Sequence, residues 1–157
     1  FGDNTTHVGR VLNKFGAVGN LDMVIAIISR YFYGFPCIDM FDAFAEANKG
    51  NRMYLYRFDW DAGGIGAGHT MCSGVATGQT AIMAPGIALI PSYDKVYKQT
   101  SAMWNAFIKY QNPNVKEIPE WPEYKKETRM AMFLDEYCHI GEIENTDEGM
   151  PHQTLKL

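Results

Sequence analysis

Two short runs constrain the fold more than any other feature of this chain. Met53-Tyr54-Leu55-Tyr56-Arg57-Phe58 and Arg129-Met130-Ala131-Met132-Phe133-Leu134 are apolar or aromatic at every position except the two arginines. Their length and aromatic content predict strands. In residues 53–58, tyrosine and phenylalanine fill one set of alternate positions, and methionine, leucine and arginine fill the other. A strand with so little polar alternation is covered on both faces, as in an α/β sheet. Two such strands cannot bury themselves as an isolated sheet. Both read as internal, so they are expected to need neighbouring strands that this sequence does not supply.

Helical rhythm surrounds the strands. Residues 1–20 are rich in Gly and Asn and read as an irregular lead-in, with Asn20 placed to cap a helix starting at Leu21. Leu21, Val24, Ile25, Ile28 and Phe32 have the spacing of one buried helical face. Gly34-Phe35-Pro36 is expected to break that helix. A second helix follows, with Ile38, Phe41, Phe44 and Ala45 inward and Asp39, Asp42 and Glu46 mostly outward, stopping at Asn48-Lys49-Gly50-Asn51. A long helix is predicted from a Ser92 cap to about Tyr110, with Val96, Thr100, Met103, Trp104, Phe107 and Ile108 inward. Asn112-Pro113-Asn114 ends it. Residues 73–91, rich in Gly, Ala and Thr, give no assignment. The acidic, polar residues 142–157 are expected to be a frayed tail.

Composition narrows the function classes. Of 157 residues, 46% are hydrophobic and 20% charged, which fits a folded chain and not a disordered one. A net charge of −4 gives no reason to expect nucleic acid or an anionic membrane as partner. The apolar stretch 81–90 contains Pro85 and Gly86 and is far short of the roughly 20 residues of a membrane span, so none is expected. Phe1 is not a start methionine, so the lack of a signal peptide leaves the compartment unknown. Cys37, Cys72 and Cys138 are an odd number at wide spacing and do not read as a disulfide framework. The histidines at 7, 69, 139 and 152 lack zinc-ligand spacing, and no metal or other cofactor is expected.

The residue that points to chemistry is His69. It closes Gly64-Ile65-Gly66-Ala67-Gly68-His69, a Gly-rich loop directly after the first strand. A histidine on such a loop can be held for proton transfer. Four glycines at 63, 64, 66 and 68 might suggest a phosphate loop, but no Gly-Lys-Ser/Thr ending is present, and a positioning loop is the better reading.

The stretch from Tyr54-Leu55-Tyr56-Arg57-Phe58 through Gly66-Ala67-Gly68-His69 resembles the last quarter of type-B carboxylesterases, the large α/β-hydrolases that include cholinesterase-like enzymes. The likeness extends from Ile28 to Leu134. Ser29-Arg30-Tyr31-Phe32 through Phe35-Pro36-Cys37 is similar to the family's aromatic-Cys-Pro segment, although here the proline precedes the cysteine. Ala43-Phe44-Ala45, Met103-Trp104-Asn105-Ala106-Phe107, Asn112-Pro113-Asn114 and Trp121-Pro122-Glu123-Tyr124 follow in the family's order. The resemblance implies an α/β fold: the C-terminal portion of an α/β-hydrolase sheet with flanking helices, incomplete alone, with residues 1–157 forming the C-terminal segment of one hydrolase domain. It implies ester hydrolysis by a Ser–Glu–His triad in which His69 is the base. The serine, the glutamate and the oxyanion hole would come from an N-terminal segment of the same enzyme, because the chain contains no Gly-x-Ser-x-Gly. The isolated chain would then be inactive, and its partners would be that segment and a small-molecule ester.

One departure bears on substrate. Where the family has an acidic residue and then an apolar-aromatic segment after the histidine, this chain has Thr70-Met71-Cys72 and then the small residues 73–81. The resemblance therefore implies no substrate class. The same departure sustains an alternative, a cholinesterase-like adhesion or binding domain without activity. A Gly-x-Ser-x-Gly in the complete sequence separates the two.

Nearby residues have blander readings. Asp59 and Asp61 sit at the strand exit and read as hydrogen-bonding loop residues, not as the triad acid. Ser73 has Met71 where a nucleophile elbow needs glycine and reads as structural. Cys72 reads as a half-buried, inert thiol. Trp104, Phe107, Trp121 and Tyr124 read as core packing around the long helix, not as a ligand box.

Overall fold

The structure, a computed structural model, describes residues 21–47, 50–79 and 86–143. The lead-in, Asn20, Asn48, Lys49, His7, His152 and the tail beyond Ile143 lie outside the described residues. The chain divides into two compact units, Phe1–Phe44 with Glu144–Leu157, and Ala45–Ile143.

α1 (Leu21–Ser29) runs into a π-helical turn (Arg30–Gly34) and then into α2 (Phe35–Ala47), whose residues from Ala45 on are counted with the second unit. Gly34-Phe35-Pro36 therefore widens the helix and does not break it. Pro36 has no N–H, and its ring would meet the carbonyl four residues back in a regular α-helix. The π turn absorbs this: the N–H of Phe35 donates to the carbonyl of Arg30, five residues earlier. The buried face also differs from the expected one. Ile27 is buried, with Met23, Val24, Tyr31 and Phe35 against it, whereas Leu21, Ile25 and Phe32 are exposed. In α2 the buried residues are Ile38 and Asp42, and Phe44 is exposed. Periodicity identifies apolar faces but does not say which one finds a cover. Residues Met23–Ala47 are long and apolar enough to cross a membrane by length and composition alone, a test that core helices of soluble proteins also pass.

The second unit holds a three-stranded sheet in the order β1 (Tyr56–Phe58), β2 (Met130–Leu134), β3 (His139–Glu142). β1 and β2 are parallel, with Tyr56 opposite Met132 and Phe58 opposite Leu134. Residues 53–55 stay alongside the sheet without full pairing: Met132 N–H donates to the Leu55 carbonyl (2.9 Å) and Tyr124 N–H to the Met53 carbonyl (2.7 Å). β2 is central and almost wholly buried, as its composition implies. β3 was not expected; it returns antiparallel to β2, with Phe133 opposite His139 and Met130 opposite Glu142. His139 is thus the first residue of a strand, and Glu142, expected to begin the tail, pairs in the sheet.

A parallel pair needs a long crossover, and here it carries α3 (Met71–Thr77), a 3-10 turn (Ile87–Leu89) and α4 (Tyr93–Tyr110). α3 lies in the stretch that composition left unassigned and packs against α4. α4 buries Tyr93, Val96, Gln99, Thr100, Met103 and Ala106. That stripe turns Phe107 (42% exposed) and Ile108 (75% exposed) away from the core, contrary to the expected inward face. Two buried clusters result. One gathers Trp60, Ala62, Met71, Val75, Ile87, Tyr93 and Val96; the other gathers Met103, Ile118, Trp121, Met132 and Leu134, and Phe58 touches both.

Asn114 shows why the Asn-Pro-Asn turn matters. Its side-chain oxygen accepts the Trp121 N–H (2.6 Å), and its amide nitrogen donates to the Trp121 carbonyl (2.9 Å). One side chain thus stands in for a strand and fixes a tryptophan that the edges of Tyr54 and Tyr56 contact at 5.7 and 6.0 Å. Asn114→Ala strands both backbone groups, and we expect a loss of about 1–3 kcal/mol of stability, measured by chemical denaturation of the purified chain. An unchanged midpoint would show that water replaces the amide.

Candidate active site

The segment between β1 and α3 is built from the strand outward. Pairing persists one residue beyond β1, where Asp59 N–H donates to the Leu134 carbonyl (2.8 Å). The Asp59 carboxylate is gripped by both arms of the Arg57 guanidinium, each at 2.6 Å. That guanidinium also lies over the Phe133 ring, 4.5 Å from its centroid, and His139 stacks on the same ring at 4.9 Å. Asp59 is therefore committed to its arginine, as a loop residue.

Trp60 then turns fully inward, 2% exposed, and its indole N–H donates to the Ser92 hydroxyl (2.9 Å). Ser92 occupies the N-cap position of α4, but its side chain makes no capping bond; it serves the tryptophan instead. Asp61 organises the glycine coil beyond the tryptophan. Its carboxylate accepts the Gly64 N–H (2.8 Å) and its carbonyl accepts the Gly66 N–H (2.6 Å). Gly64 and Gly66 have φ of +95° and +82°, and a Cβ at either would meet nothing within 4 Å. Glycine is required there by backbone conformation and not by space. Gly68 N–H donates to Gly66, and Met71 N–H to Gly68, closing the coil.

His69 stands at the end of this coil, exposed, one residue before the N-cap of α3. The loop leaves the carboxyl end of a parallel strand, the side on which open α/β sheets bind ligands. Both ends of the loop are fixed, because Trp60 and Met71 belong to the same buried cluster. Thr70 follows His69 with φ 65° and ψ −4°, and its hydroxyl donates to the His69 carbonyl (2.6 Å). Sequence reasoning did not single out Thr70, since nothing marks a β-branched residue for a left-handed conformation.

Other residues near the loop are structural. The Ser73 hydroxyl donates to the Thr70 carbonyl (2.8 Å). Cys72 is half-buried, 3.2 Å from the Tyr56 hydroxyl, and burial pushes its thiol above the usual cysteine range despite that hydrogen bond. Trp121 and Tyr124 are buried, as expected, but Trp121 also lines, with Tyr54, Trp104, Phe107, Ile108 and Pro113, an open apolar groove of about 320 Å³. A second, more polar hollow of about 440 Å³ lies among Glu46, Asn51, Glu123 and Lys126, where Lys126 pairs with Glu46. His69 lines neither. Among the described residues, no group of His, Cys, Asp or Glu is placed to hold a metal ion.

Because burial holds Cys72 protonated, its alkylation by iodoacetamide, followed residue by residue by mass spectrometry, should rise at a pH above the ordinary cysteine range of about 8.5. Tyr56→Phe removes the hydrogen bond that favours the thiolate, so it should slow the reaction further at a given pH. Faster alkylation in that variant would mean that the hydroxyl shields the sulfur instead.

The chain matches the Carboxylesterase family over residues 14–149. Two solved structures have the same fold. A carboxylesterase from Geobacillus stearothermophilus is 21% identical, with a TM-score of 0.59 over 73% of this chain and 24% of its own. An esterase from the anaerobe Clostridium hathewayi that hydrolyses aliphatic aromatic polyesters is 20% identical, with a TM-score of 0.61 over 88% of this chain and 27% of its own. At these identities the likeness establishes the fold, and the chain spans about a quarter of the length of these esterases. No curated protein matches. The described helices and sheet are accordingly a partial α/β fold, and with 14–149 of 157 residues matched, the chain belongs to the carboxylesterase family.

Proposed function

We propose that this chain is the C-terminal segment of a carboxylic ester hydrolase and that His69 is its general base. The observation that carries the reading is the placement of His69: exposed, off the carboxyl end of β1, on a loop pinned at both ends in a chain of the carboxylesterase family. A serine hydroxyl is a poor nucleophile until an imidazole takes its proton. In the proposed reaction the serine oxygen attacks the ester carbonyl as His69 accepts that proton. The imidazolium then protonates the departing alcohol, leaving an acyl-serine. A water molecule, deprotonated by the same imidazole, releases the acid and restores the serine. A carboxylate orients the imidazole throughout.

The serine, the orienting glutamate and the oxyanion hole belong, in this reading, to an N-terminal segment of the same enzyme. Asp59 and Asp61 are unsuited to the acid role, since Arg57 holds the first and the Gly64 N–H ties the second into the loop. β1 is also the edge of the described sheet, which leaves it open to a further strand from that segment.

Two outcomes test the proposal. Purified chain 1–157 should hydrolyse p-nitrophenyl esters no faster than free imidazole; a stoichiometric acyl-enzyme formed by this chain alone would overturn the division of labour. In the complete enzyme, His69→Ala should lower kcat by about 10⁴-fold or more with little change in Tm, whereas His139→Ala should leave turnover nearly intact. Near-normal turnover in the His69 variant would remove the base assignment.

A further inference from the structure

We infer that Thr70 is a positioning residue for the His69 imidazole, held in an unfavourable backbone conformation for that purpose. The inference rests on His69 being the base. Among the described residues, Thr70 is the one β-branched residue with positive φ; the other non-glycine cases are Ala62, Gln111 and Arg129. Positive φ brings Cβ against the backbone, and a second heavy atom on Cβ makes it worse. Such a conformation persists only where its surroundings over-determine it.

They do so here. The Thr70 hydroxyl donates to the carbonyl of His69 (2.6 Å). The carbonyl of Thr70 receives both the Gly74 N–H (3.1 Å) and the Ser73 hydroxyl (2.8 Å), which locks it as the first acceptor of α3. Met71, the next residue, is buried against Trp60. Thr70 is thus tied to the first turn of α3 and Met71 to the core, while the backbone turns left-handed at Thr70.

That left-handed turn decides where His69 points. With an ordinary helical φ at residue 70, α3 would extend backward through His69, whose carbonyl would accept the Ser73 N–H. The imidazole would then stand on the side of a helix. In the observed geometry the helix begins after Thr70, and the hydroxyl replaces the helical N–H at the His69 carbonyl. His69 is lifted off the helix and faces outward at the end of the β1 loop. The hydroxyl clamp and the positive φ act on the same peptide group, so together they set the direction from which the imidazole leaves the backbone.

Thr70→Gly separates positioning from folding. Glycine adopts the native φ without strain, so Tm should stay level or rise by up to roughly 2–4 °C. The variant loses the clamp and gains backbone freedom at the residue beside the base. In the complete enzyme with p-nitrophenyl butyrate, kcat should fall by about 10–100-fold, with KM within about twofold of the parent. Thr70→Ser keeps the hydroxyl and should recover most of the turnover. Unchanged kcat in Thr70→Gly, or a loss of kcat accompanied by a lower Tm, overturns the inference. A parallel His69→Ala enzyme separates the two levels. If that enzyme is inactive while Thr70→Gly is normal, positioning alone fails; if it is fully active, the base reading itself fails.

Discussion

The burial of Trp60 is the interaction on which the second unit and its candidate site both depend. The indole comes immediately after the end of β1, packs edge-on to Phe58 at 6.4 Å and against Tyr93 at 6.2 Å, and reaches Ser92 with its N–H. A single side chain thereby joins the sheet, the Gly-rich loop and the start of the long helix. Truncating a buried tryptophan typically costs about 3–5 kcal/mol, comparable to much of the net stability of a small domain. The hydrogen bond adds direction to that burial. A buried indole N–H needs an acceptor, and the hydroxyl that supplies it sits at the first turn of α4. The loop therefore cannot shift without moving the helix.

From that anchor outward, the site divides into rigid supports and a strained tip. The supports are aromatic and buried: one cluster beneath the loop, another between the sheet and the C-terminal half of α4, with Phe58 belonging to both. The tip is a coil of glycines closed on Asp61 and ended by a threonine in the left-handed region. Free energy gained by burial offsets the unfavourable backbone angles at the tip. A loop held in this way can present its exposed side chains without waiting for a ligand to order it.

Apolar side chains lie exposed on α1 and α4, and a groove opens beside Trp121. Phe107, Ile108, Leu21 and Ile25 are large hydrophobic residues left in solvent. β1 forms one edge of the described sheet.

Much of this was legible in the sequence. The two apolar runs became the parallel pair β1 and β2, the 3.6-residue rhythm gave α4 to within a residue of its bounds, and the motif order from Ile28 to Leu134 pointed to the carboxylesterase family. These are local or ordered signals, carried by side-chain type and spacing. What the sequence left open depends on contacts between distant residues. Whether Ser92 caps its helix or serves Trp60 is a competition between two partners, 32 residues apart in one case and a few residues apart in the other. β3 is short and half-polar and exists because β2 offers it an edge. The inward faces of α1 and of the last turn of α4 were misread because periodicity marks an apolar stripe but cannot say what covers it. Thr70 was invisible because backbone conformation at a single residue is set by what clamps its neighbours. The sequence by itself determined the two apolar strands, the long helix and the family they belong to; only the tertiary structure decided that β3 forms, which faces are buried and how the peptide beside His69 is turned, because these are settled by packing and not by propensity.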